Sequence, residues 1–180
     1  MHAALRGALR QHRVSQFCID IALAVDANGE LTKALCPRHK GINRIWEKVC
    51  MRKDGRFDVD DCLDIARGGV ECDSMKLINA PVVYILGRED VAAVRVKNRF
   101  LKPTGGGWRD VFINFYSKDD TGRYIGEIQL MHKHLLNVRE DMGAHHDYNS
   151  FRAAQQILSW HADIGPTMSA MQGITSICPF

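Results

Sequence analysis

The chain has 180 residues, of which 46% are apolar and 25% charged, the proportions of an ordinary single globular domain. No apolar run approaches the roughly 20 residues that span a bilayer, so neither a membrane helix nor a membrane partner is expected. A net charge of +3 is too small to name nucleic acid as a partner by itself.

Six cysteines are scattered without a C-x-x-C pair. In a chain of this size they read as reduced thiols, which implies an intracellular setting, cytoplasmic or organellar. Residues 1–19 hold Arg6, Arg10 and Arg13 and no acid. That composition suits either a targeting segment or an amphipathic surface helix.

In chain order, residues 2–26 read as a helix, with Leu5, Leu9, Ile19, Ile21, Leu23 and Val25 as its apolar positions and Ala27-Asn28-Gly29 as its stop. A second helix is expected over Gly41–Met51, where Ile42, Ile45, Trp46 and Val49 are three to four apart. Leu63–Cys72 reads as a strand, Met75–Ile78 as a short helix ended by Pro81, and Val82–Leu86 as a further short strand. Val91–Phe100 is another strand. Residues 109–117 and 123–132 form a hairpin around Asp119-Asp120-Thr121-Gly122, because Val111, Ile113 and Phe115 alternate with Phe112, Asn114 and Tyr116. From His134 to about Ile164 the pattern returns to helix, broken near Gly143, and residues 165–180 carry no clear period. This order is α+β, with a mixed or antiparallel sheet rather than a doubly wound parallel one.

Several groups could carry chemistry. Arg38, Lys40, Arg44 and Lys48 fall within eleven residues and could converge on a triphosphate, or lie on a solvated helix face. Asp60 and Asp61 precede one apolar strand, Asp64 sits just inside it and Glu127 sits within another; two such carboxylates on neighbouring strands would suit Mg²⁺ together with substrate phosphates, or each could lie on the solvated face of its strand. Gly105-Gly106-Gly107 permits a close backbone approach, and Trp108 behind it could stack on a base or fold back onto the core. His132, His134, His145, His146 and His161 match no zinc spacing, and P-loop and G-x-S-x-G signatures are absent.

Taken together, these residues resemble the RelA/SpoT nucleotidyltransferase-like domain of alarmone synthetases, over roughly Arg38 to Arg152. The family's basic ATP motif is matched by Arg38-His39-Lys40-Gly41-Ile42 and Ile45-Trp46-Glu47-Lys48, and its metal-binding aspartate by Asp64. The loop with a base-stacking tyrosine is matched by Lys97, Pro103, Gly107 and Trp108. The glutamate strand is matched by Glu127-Ile128-Gln129, and the helix after it by Gly143-Ala144-His145-His146-Asp147-Tyr148. The match is closer to a divergent branch: Arg44 stands where a serine is usual, Arg67 follows Asp64 by three residues rather than five, Phe112 replaces an acceptor-binding histidine, and Met131-His132 replaces Arg-Thr.

The resemblance implies a mixed, mainly antiparallel sheet of about five strands flanked by helices. It also implies Mg²⁺-dependent transfer of pyrophosphate from ATP to the 3′-hydroxyl of a nucleotide such as GDP or GTP, or of RNA. Asp64 and Glu127 would be the metal-binding and catalytic carboxylates. Arg38, Lys40, Arg44, Lys48, Lys97, Trp108 and Gln129 would bind nucleotide. The alternative is a non-catalytic nucleotide-binding or interaction domain with a degenerate acceptor half.

Overall fold

The computed structural model describes residues 2–50, 62–105, 107–141, 154 and 158. The expectations for Met51, Asp60, Asp61, Gly106, the helix past residue 141 and the 165–180 tail lie outside them. The elements run α1 (His2–Val25), β1 (Thr32–Leu35), α2 (Ile42–Cys50), β2 (Ala66–Cys72), α3 (Met75–Gly87), β3 (Val91–Asn98), β4 (Val111–Ser117), β5 (Gly126–His132) and α4 (Lys133–Asp141).

α1 buries Val14, Cys18, Ile21 and Ala22, with Phe17 and Val25 packed beside them. That spacing of three and four is one face of a helix. The expected face is corrected here: Leu9, Ile19 and Leu23 are exposed, since they fall outside this stripe. The helix stop is as expected. Gly29 takes φ 69°, a conformation glycine adopts freely, and Asp26 Oδ2 accepts from the backbone of Leu31 at 2.6 Å and Thr32 at 3.0 Å as the chain turns into β1.

Two further expectations are overturned. The strand expected from Leu63 starts only at Ala66, and Leu63 and Asp64 form a turn before it. Here the carbonyl of Leu63 accepts from the Asn114 side chain (2.9 Å) and that of Ile65 from the backbone of Lys40 (2.9 Å), so neither enters a ladder. Pro81 does not end a helix, and Val82–Leu86 is not a strand: both lie within the thirteen residues of α3. Ser74 caps this helix by accepting from Leu77 N at 3.3 Å, and Ile78, Pro81 and Ile85 form its buried face. An interior proline costs a helix about 3 kcal/mol, and burial of three apolar side chains offsets it. β1 has no counterpart among the expected elements, because four residues are too few to display a period.

The sheet order is β1-β2-β5-β4-β3, with β2 and β5 parallel and the other neighbours antiparallel. The expected α+β class and mixed five-stranded sheet are therefore observed. The two sheet faces differ in kind. Val70, Ile113, Phe115, Ile128 and Leu130 join the core with α1 and α3. A Cβ on Gly68 would overlap Cys18 Sγ and one on Gly126 would lie 2.8 Å from Val14 Cγ2, so these glycines let α1 approach the sheet closely. Residues of opposite parity, including Phe112, Asn114, Glu127, Gln129 and Met131, lie on the other face, as the pleat requires. α4 packs against β5 and β2.

Candidate active site

The polar face of the sheet gathers most of the chemistry-bearing residues. The backbone bond from Lys40 N to Ile65 O, 2.9 Å, ties the segment before α2 to the start of β2. Lys40 Nζ thereby meets Asp64 Oδ2, and Lys48 Nζ, from the last turn of α2, reaches Asp64 Oδ1 at 2.8 Å. Both oxygens of one carboxylate are thus held by ammonium groups. Burial alone would raise the pKa of Asp64, but the hydrogen bonds and charges of Lys40 and Lys48 outweigh it and hold the carboxyl below its ordinary value.

Glu127 is 6% exposed within β5. Gln129 Nε2 donates to its Oε1 at 2.9 Å and Asn114 Nδ2 to its Oε2 at 3.4 Å. Burial pushes its pKa up, the negative charge of Asp64 adds to this, and the two amide donors and Arg99 offset only part of it. Two carboxylates that sense one another, one held ionised and one raised, are an arrangement suited to acid–base work. Their oxygens also fit Mg²⁺, which is commonly bound by one or two carboxylates and completed by substrate phosphates. Among the described residues no group of three His, Cys, Asp or Glu side chains forms a complete protein cage for a metal.

Beside this centre lies a cavity of about 560 Å³ lined by Lys97, Asn98, Arg99, Lys102, Thr104 and Phe112. The rims of β3 and β4 place three cations about the Phe112 ring: Arg99 at 4.2 Å, Arg95 at 5.3 Å and Lys97 at 5.8 Å from its centroid. The wall of the cavity is the loop between these strands, where Gly107 has φ 79° and Trp108 N donates to Thr104 Oγ1 at 3.0 Å. Trp108 is half-buried. Its Nε1 donates to Asp110 Oδ2 at 2.9 Å, and the Arg139 guanidinium lies over its ring at 4.6 Å.

Of the residues expected from sequence, Lys40, Lys48, Asp64, Glu127 and Gln129 meet in one centre, Lys97 lines the adjoining cavity, and Trp108 is bonded to Thr104 of its wall. Arg38 is exposed on the loop before α2, and Arg44 pairs with Glu47 at 2.5 Å. Gln129 orients Glu127 with its amide nitrogen. Four residues not named as site residues from the sequence also belong here: Arg99, Asp110, Asn114 and Arg139. A signal existed for two of them. Asn114 is a lone amide in the strand Val111–Ser117, and Asp110 is a carboxylate placed directly before it.

No protein-family model and no curated protein sequence matches this chain. Its fold does match solved structures. Small alarmone synthetase 2 from Bacillus subtilis aligns with a TM-score of 0.62 at 20% identity, over 99% of this chain and 100% of that one. Small alarmone synthetase 1 from Bacillus subtilis, bound to its product pppGpp, aligns at 0.61 and 14% identity over 93% and 94% of the two chains. A GTP pyrophosphokinase family protein from Streptococcus pneumoniae aligns at 0.57 and 14%, over 93% of each. The fold is therefore RelA/SpoT-like, that of the small alarmone synthetases.

Proposed function

We propose that this protein transfers pyrophosphate from ATP to the 3′-hydroxyl of a nucleotide acceptor, GDP or GTP or an RNA 3′ end, with Mg²⁺ as cofactor. The observation that carries this reading is the pair Asp64 and Glu127, one in the turn before β2 held by two lysines and the other buried in β5 with a raised pKa, in a RelA/SpoT-like fold. Lys40 and Lys48 bind the donor phosphates, exchanging Asp64 for phosphate oxygens, with Arg38 and Arg44 at the outer edge. Asp64 and Glu127 hold Mg²⁺, which when bound neutralises charge on the phosphates of ATP.

The acceptor 3′-oxygen attacks the β-phosphorus of ATP, the bond between the α and β phosphates breaks, and AMP leaves. Glu127 takes the hydroxyl proton, a role to which a raised pKa is suited. Asn114 and Gln129 orient its carboxylate, Lys97 meets the acceptor's phosphates, and Trp108 stacks its base.

The test is AMP release from labelled ATP with GDP, GTP and RNA as acceptors. Glu127→Gln is expected to lower turnover about a hundredfold or more. Undiminished release in that variant would remove the mechanism. One observation favours a second reading, a non-catalytic nucleotide-binding domain: Phe112 puts a buried ring where the resembling family has an acceptor-binding histidine. That reading requires nucleotide binding without product from any acceptor.

A further inference from the structure

Asp110 takes no part in the chemistry above, yet it is wholly buried (0% exposed) at the junction of three site elements. Its Oδ2 accepts from the Trp108 indole, 2.9 Å away, and so fixes the rotation of that ring. Its Oδ1 faces Arg99 Nε at 3.1 Å, but the two are not aligned for a hydrogen bond, and that oxygen has no hydrogen-bond partner. The backbone repeats the link, because Arg99 N donates to Asp110 O at 2.8 Å. Arg99 in turn lies over Phe112 and lines the cationic cavity, while Arg139 of α4 covers one face of Trp108. A buried carboxylate is costly unless it is paired, and here one partner, Arg99, lines the cavity while the other, Trp108, is bonded through its backbone N–H to Thr104 of the cavity wall.

We infer that Asp110 is a positioning residue for the acceptor nucleotide, locking the Trp108 ring and the Arg99 guanidinium into one rigid unit so that base and phosphate are received together. This rests on the proposed function for its ligand class, a nucleoside phosphate. The Arg99 guanidinium is held in place by charge, and the Asp110 carboxylate uses none of its N–H donors in a directed bond, so they stay available to an acceptor phosphate. Trp108 is held by a directed bond, which keeps a stacking surface in place. Burial raises the pKa of Asp110, and the charges of Arg99 and Arg139 and the indole bond offset only part of that.

The experiment is calorimetric titration of wild type and Asp110→Asn with GDP and, separately, with a non-hydrolysable ATP analogue in Mg²⁺. Asparagine keeps an oxygen for the indole but loses the charge that holds Arg99. The expected result is GDP affinity lowered about tenfold, with affinity for the ATP analogue within about twofold of wild type. In the double variant Arg99→Gln/Asp110→Asn, which buries no unpaired cation, the loss should be no greater than in Arg99→Gln alone, since the two act as one unit. The intensity change of Trp108 fluorescence on GDP addition, taken as the difference from Trp108→Phe, should shrink in Asp110→Asn.

Unaltered GDP binding in Asp110→Asn would overturn the inference. So would an equal loss of both ligands, which would mark Asp110 as a packing residue only. A wild-type protein that binds neither nucleotide would overturn the proposed function along with it; one that binds the ATP analogue but not GDP would overturn the acceptor role alone.

Discussion

At the scale of single residues, the site is governed by how two carboxylates are treated. Asp64 is stabilised as an anion by Lys40 and Lys48, whereas Glu127 is buried and its hydrogen-bond donors are the neutral amides of Gln129 and Asn114. Because the native pKa of Glu127 lies above its ordinary 4.5, the folded state holds that proton more tightly than the unfolded chain. Its contribution to stability is complete at pH below the ordinary value and is lost as pH rises through the native one. Glu127→Gln is therefore expected to raise the thermal midpoint at pH 7 without metal, and calorimetry should show the gain vanish near pH 4. Asp64 has the opposite sign, with its contribution present at neutral pH and lost on acidification through its lowered native value. Replacing Lys40 by Met leaves Lys48 as the sole partner and should lower stability by about 1 kcal/mol, measured by urea denaturation. The same change should weaken the ATP analogue about tenfold or more.

At the scale of elements, the close approach of α1 to β2 depends on the absence of a side chain at residue 68. A methyl there would overlap Cys18 Sγ, which is fully buried and cannot swing into solvent. Gly68→Ala should cost about 1–3 kcal/mol by denaturant unfolding. Cys18→Ala in the same chain should recover much of that loss, because it frees the volume the methyl needs. If the double variant is no more stable than Gly68→Ala, the strain lies in the strand backbone instead. α3 shows the complementary case, in which packing on one face retains a helix through Pro81.

At the scale of the whole molecule, the sheet divides labour between its faces. One face is sealed by α1 and α3, and the other carries the donor centre and the cationic cavity, roofed in part by α4. Ligand on the open face stabilises the fold through mass action alone. An ATP analogue with Mg²⁺ at about a hundred times its Kd should add about 2.7 kcal/mol, read as a rise in thermal midpoint. The rise should fall with added salt, since Lys40 and Lys48 meet phosphate partly in solvent. A shift that does not respond to salt would argue against phosphate recognition by these cations.

Local pattern alone determined a good deal of this protein. Alternation marked the β4–β5 hairpin, three- and four-residue spacing marked α2, apolar positions closed by Ala27-Asn28-Gly29 marked the extent of α1 though not its buried face, and the lone carboxylates and lysines of the donor centre stood out against their neighbours. Those signals are legible because they depend on adjacent residues only. Tertiary structure decided the rest. It kept α3 helical through Pro81, because burial of one face outweighs a local breaker. It also moved the start of β2 past Asp64, because the carbonyls of Leu63 and Ile65 find partners in Asn114 and Lys40, 51 and 25 residues away in sequence. The roles of Asp110, Asn114 and Arg139 were hidden for the same reason. Each is set by neighbours that the pleat and the helix packing bring in from elsewhere, and no spacing along the chain encodes such contacts.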